Sequence, residues 1–173
     1  GTGCTLLAVG AVVPRKDHGL LLTALAGLLD RPWRLEIVGD LDRAPAYVAD
    51  LRRQCVALGL DARVRFLGIL EDAAFAAAWD RADLFVAASR HEGYGMALAE
   101  AIGRGLPVVT TAADAVAGWL DPAAALIVPV GDAAGLRLAL ARAIDAPALR
   151  RGMASAARRA AAALPDWPSI AEL

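Results

Sequence analysis

The chain has 173 residues, with 18 basic against 19 acidic side chains and a hydrophobic content of 58% that alanine inflates. That length suits one domain with a real core and is short for two. A net charge of −1 gives no reason to expect a nucleic-acid surface, and the longest apolar stretch, Leu20 to Leu29, is too short to cross a bilayer.

Short β-rich runs alternate with longer helical patterns along the chain. Thr5 to Val9 reads as a strand, and His18 to Leu29 as a helix stopped by Asp30-Arg31-Pro32. Arg34 to Gly39 is a second strand, followed by a helix from about Pro45 to Leu58. Val64 to Gly68 is a third strand, and Glu71 to Arg81 a third helix. Leu84 to Ser89 is a fourth strand, leading through a glycine-rich loop to a helix from about Gly95 to Arg104. Pro107 to Thr111 and Ala125 to Val130 are the fifth and sixth strands. Asp132 caps a helix running to about Ile144, and a last helix runs from about Pro147 to Leu164. Strands that are apolar on both faces and alternate with crossover helices predict an α/β fold. It is a doubly wound, Rossmann-like parallel sheet of six strands with helices on both faces. No internal repeat, low-complexity linker or second core is visible.

Ligands of such sheets bind at the carboxyl ends of the strands. One loop there stands out, S-R-H-E-G-Y-G-M-A-L-A-E, from Ser89 to Glu100. Gly93 and Gly95 flank Tyr94 where a strand should turn into a helix, letting the backbone approach a ligand closely. The helix start offers unpaired N–H groups and a positive dipole end, which suits a diphosphate. Glycine at such a turn also serves geometry alone. Glu92 lies on the loop. Glu100 lies inside the helix, about 8 Å along the axis from Gly95 at ~1.5 Å per residue. Carboxylates accept well from paired hydroxyls and repel phosphate. The arrangement therefore puts phosphates at Gly93 to Met96 and hydroxyl-rich rings at the two acids. From spacing alone, a polar loop residue at Glu92 and a surface helix residue at Glu100 are about equally supported. Met96 shares a helix face with Glu100. Arg15 and Lys16, at the end of the first strand, are the best phosphate ligands in the chain, Arg15 as a fork and Lys16 as a point charge.

The strings V-G-A-V-V-P-R-K, L-E-I-V-G-D, V-R-F-L-G, A-D-L-F-V-A-A-S-R-H-E-G-Y-G-M-A-L-A-E-A and G-L-P-V-V-T occur in this order from about Leu6 to Leu164. Together they resemble the C-terminal, donor-binding domain of retaining GT-B glycosyltransferases of the fourth sequence family (glycosyl transferases group 1). A Glu, seven residues and a second Glu, here Glu92 and Glu100, match that family's signature. The resemblance implies one half of a GT-B fold that binds a nucleotide-sugar donor and transfers the sugar with retention of anomeric configuration. Glu92 would face the donor sugar's hydroxyls and Glu100 the ribose diol. Lys16, with Arg15, would hold the diphosphate and stabilise the leaving group, so Glu92 and Lys16 are the catalytic candidates. Backbone amides of Gly93, Tyr94, Gly95 and Met96 would add to this, and the base would sit near Gly68, Ile69 and Leu70. His91 is a further candidate donor contact. The resemblance implies that no cofactor and no metal are needed.

The chain departs from the family's pattern at Ala11, where members commonly carry Arg, and at Asp114, an added acid near the phosphates. Arg15 is the candidate replacement for the missing cation. Asp114 must either point away or alter the site. Residues 1–164 are expected to form the donor-binding domain. Residues 165–173, with Trp167, would begin a crossover to an absent N-terminal domain that supplies the acceptor site. The isolated domain is expected to bind donor weakly and transfer little. Other readings are a non-catalytic Rossmann-like module and a GT-B epimerase or phosphorylase. A dinucleotide-dependent oxidoreductase is a poor fit, because Gly1 to Leu6 precedes the first strand and lacks a third glycine.

Cys4 and Cys55 lack metal-ligand spacing and read as inert thiols in a reducing compartment. Nothing near Gly1 has the pattern of a signal peptide, so the expectation is a cytoplasmic domain, with membrane association only through a full-length protein. His18 reads as a surface residue beside the diphosphate. Trp33, Trp79 and Trp119 read as core or interface aromatics. Arg150, Arg151, Arg158 and Arg159 read as a solvated helix face.

Overall fold

The structure, a computed structural model, describes residues 3–114 and 116–163. Among these residues six strands form one sheet: β1 (Cys4–Val9), β2 (Trp33–Val38), β3 (Val64–Gly68), β4 (Leu84–Ala87), β5 (Val108–Thr111) and β6 (Ala125–Val128). Their order is β3-β2-β1-β4-β5-β6, and every neighbouring pair is parallel. The chain winds outward from β1 to β3, then returns to the other side of β1 with β4. The loops after β1 and β4 therefore diverge and leave a crevice at the carboxyl ends of the strands, the switch point of a doubly wound sheet.

Helices α1 (His18–Ala26), α2 (Pro45–Ala57) and α6 (Ala133–Asp145) cover one face. Helices α3 (Asp72–Arg81), α4 (Met96–Gly103), α5 (Val116–Trp119) and α7 (Pro147–Ala161) cover the other. The two-residue period of a strand explains both cores at once. Leu6, Val86 and Val109 point into the first cluster, while their neighbours Leu7, Phe85 and Val108 point into the second. Strands buried on both faces need apolar residues at nearly every position, which is why these runs do not alternate with polar ones. Glu36 of β2 is an exception, only 5% exposed. Both its carboxylate oxygens accept from Arg81 Nε, at 3.0 and 2.9 Å, so the buried charge is paired.

The helix starts follow their chemistry. Pro45 and Pro147 occupy first-turn positions, where a missing N–H costs nothing. Asp132 Oδ1 accepts from the Gly135 amide at 2.8 Å, the cap expected from the sequence. Helix α1 stops at Ala26 rather than Leu29, because Gly27 turns the chain and its amide bonds back to Ala24. The predicted helix end at Leu164 and the predicted tail at 165–173 lie outside the described residues. Two short elements are absent from the sequence reading, a 3-10 turn at Pro14–Lys16 and the four-residue α5.

Two surface expectations are corrected. His18 is buried, 6% exposed, because the turn at Asp17 points it inward as α1 begins. Arg150 is half-buried, and its Nη1 donates to the carbonyls of Ala143 and Ile144 at 2.6 and 2.8 Å, tying α7 to the end of α6. Arg151, Arg158 and Arg159 are exposed, as expected. Cys4 and Cys55 are buried free thiols. Burial pushes the Cys4 thiol up to about 11, and that of Cys55 upward, so neither supplies a thiolate near neutral pH. Trp33 and Trp79 are core residues. Among the described residues no helix is long and apolar enough to cross a membrane.

Candidate functional site

A cleft of about 820 Å³ opens at the carboxyl ends of the central strands. The loop after β1 reaches it through the 3-10 turn, whose tight winding places Arg15 and Lys16 side by side at its end. Asp17 follows in the left-handed region, with φ 47°. Its side chain accepts from the Leu20 amide at 3.4 Å, capping α1, and pairs with Arg90 Nε at 2.9 Å.

The loop after β4 is fixed from four directions. The Arg90 amide donates to the Arg15 carbonyl at 2.8 Å, and Thr111 Oγ1 donates to the Ser89 carbonyl at 2.7 Å. Ser89 Oγ donates to Glu92 Oε2 at 3.0 Å, and the Glu92 amide donates to Asp114 Oδ2 at 2.7 Å. Lys16 Nζ then donates to Glu92 Oε1 and Oε2, at 3.0 and 2.7 Å. The side chains of this pair are only 15% and 13% exposed, so little water screens them. Removing one partner would leave the other charge largely buried and uncompensated.

Gly95 precedes α4 with φ 81°, and no side chain caps that helix start. An added Cβ there would sit 3.3 Å from both Leu98 Cδ1 and Val116 Cγ2, in a conformation that L residues avoid. The first amides of α4 thus face the cleft without a side-chain acceptor, a suitable place for an anion. One turn in, Glu100 Oε1 accepts from Arg104 Nε at 3.1 Å. The Arg104 guanidinium lies 5.2 Å above the ring of Trp79, which holds it against the core. Tyr94 stacks on Trp119 at 5.4 Å, and Trp119 Nε1 donates to the Tyr94 carbonyl at 2.9 Å.

Of the residues expected from the sequence, Arg15, Lys16, Ile69, Glu92, Gly93, Tyr94, Gly95, Met96 and Glu100 line this cleft. Gly68, Leu70 and His91 do not line it. The Gly68 carbonyl accepts from Gly39, Leu70 packs against the second core cluster, and the side chain of His91 is 76% exposed. Ala11 lines the cleft as a small residue. Asp114 does not enter it, since its carboxylate is turned to the Glu92 amide. Asp40 and Arg43 were missed. They follow β2 just as Arg15 and Lys16 follow β1, and that parallel placement was the available signal. Among the described residues no cluster of three metal-ligating side chains occurs.

A parallel sheet of order 3-2-1-4-5-6 with a charged cleft at its switch point defines a Rossmann-like α/β domain. The chain belongs to the glycosyl transferases group 1, whose family profile matches residues 3–146. It is 36% identical over 174 residues to a phosphatidyl-myo-inositol mannosyltransferase of Mycobacterium leprae, a match covering 98% of this chain and 44% of that protein. The crystal structure of Anabaena HepE in complex with UDP and glucose superposes with a TM-score of 0.88 at 25% identity, covering 99% of this chain and 47% of that one. The C-terminal domain of a glycosyl transferase group 1 family protein (LpcC) of Francisella tularensis shares the fold, with a TM-score of 0.82 at 22% identity, covering 92% and 85%. The chain spans less than half the length of the mannosyltransferase and of HepE.

Proposed function

We propose that this chain is the donor-binding half of a glycosyltransferase that takes a sugar from a nucleoside diphosphate and transfers it with retention of configuration. The observation that carries this reading is the Lys16–Glu92 pair set beside the uncapped start of α4 in one cleft. A diphosphate would lie on the amides of Gly93 to Met96, with Arg15 and Lys16 supplying positive charge. Glu92 would accept from hydroxyls of the sugar, and Glu100 from those of the ribose. As the bond from the anomeric carbon to the phosphate oxygen breaks, the electron pair stays on that oxygen. Lys16 stabilises the new charge where little water screens it. Cationic side chains and backbone amides do this work in the proposal, and no metal is required. UDP and glucose bound to HepE, a protein with the same fold, support a nucleotide-sugar ligand.

Calorimetric titration of the chain with UDP and GDP tests the proposal. The expected result is binding in the millimolar range or tighter for at least one of them. Lys16→Ala should weaken it by about tenfold or more, the scale of a charged hydrogen bond. No detectable binding at millimolar ligand by well-folded protein would overturn the reading.

A further inference from the structure

A second, smaller pocket of about 30 Å³ is also lined by the Lys16–Glu92 pair. Lys16, His18, Ser89 and Glu92 are its polar lining, and Leu21 and Val86 are among its apolar lining. His18 Nδ1 is fully buried and has no hydrogen-bond partner among the described residues. Burial first, and the Lys16 charge second, hold the imidazole down to about 4, so it is neutral at neutral pH. A neutral imidazole in this place is a poor choice for the fold alone. An orphaned buried polar atom destabilises, and an apolar side chain would fill the same space without it.

The volume suffices for one water molecule, and a water needs two to four polar partners, which this polar lining supplies. We propose that the cavity holds one ordered water joining His18 Nδ1 to the Lys16–Ser89–Glu92 cluster, and that His18 is a positioning residue for that pair. Water both donates and accepts, so it satisfies Nδ1 in either tautomer while donating to the Glu92 carboxylate. The link braces Lys16 and Glu92, which line both this pocket and the cleft. Its effect on donor binding rests on the reading of the cleft as a nucleotide-sugar site, whereas the water itself does not.

Three substitutional and structural readouts test this. His18→Leu should unfold at an equal or higher urea concentration than the parent, yet bind UDP or GDP about tenfold more weakly. His18→Asn places an amide atom near the position of Nδ1 and should bind within about twofold of the parent. A crystal structure of the parent at about 1.8 Å or better should show a water within hydrogen-bond distance (about 3 Å) of both Nδ1 and the Glu92 carboxylate. An empty cavity overturns the proposal, as does parental affinity in His18→Leu or equal loss in the Leu and Asn variants. If the parent binds neither nucleotide while the water is present, the donor-site reading fails and the braced pair stands.

Discussion

Lys16 and Glu92 lie 76 positions apart in the chain and meet within 2.7 Å. Each was visible in the sequence as a candidate, one as a loop cation and one as a loop acid. That the cation sits on the acid is a tertiary fact, because it needs β1 and β4 to be sheet neighbours. Asp114 illustrates the same point in reverse. As a letter in the sequence it is an acid too close to phosphates; in the fold it accepts from the Glu92 amide and shapes the loop. His18 looks like a surface residue in the sequence for a related reason. A polar residue after Lys-Asp looks solvated, and only the left-handed turn at Asp17 sends it inward. Its burial has a pH signature. The folded value is about 4 against an ordinary 6.5, so stability from this group is fully present above pH 6.5. It declines as pH falls toward 4, because the unfolded chain takes up a proton that the folded one refuses, and it changes no further below that. The loss should reach on the order of 3 kcal/mol. Urea denaturation from pH 7 to 4 should show this component in the parent and a shallower decline in His18→Leu.

At the scale of elements, the predicted order of strands and helices is the observed one, and most boundaries agree within two residues. Period and punctuation account for that agreement. Apolar runs of four to six residues separated by helical patterns are legible locally, and so is the cap at Asp132. The 3-10 turn and α5 were not legible, being too short for any periodicity to register. Close approach of elements is also invisible in one dimension. Gly39, at φ 150°, lies so near the Gly10 carbonyl that an added Cβ would clash with backbone atoms. Gly39→Ala should therefore spread the ends of β1 and β2 and destabilise the fold by on the order of 3 kcal/mol. A two-state urea titration would measure it. A change within about 0.5 kcal/mol, the range of ordinary surface substitutions, would show that these strand ends yield without cost.

At the scale of the whole molecule, the chain carries one Rossmann-like domain among its described residues and matches less than half of the mannosyltransferase it resembles. In the proposal of a donor-binding half, the acceptor is held by a separate domain. Binding and transfer should therefore separate. Incubated with UDP-glucose or GDP-mannose, this chain should bind donor yet show neither transfer nor hydrolysis above background, checked by chromatography of released nucleotide. Turnover by the chain alone would mean that the cleft needs no further wall. What the amino-acid sequence determined by itself was the alternation of elements, the family and the residue types of the candidate site, since propensity, periodicity and motif spacing act over short stretches of chain. Only the tertiary structure decided the partners: Glu92 on Lys16, Asp114 on the loop amide, Arg104 held between Glu100 and Trp79, and His18 buried beside the Lys16–Glu92 pair. Those pairings depend on which strands become neighbours and which way each turn faces, and distances across a sheet are not written in the spacing of residues along one strand.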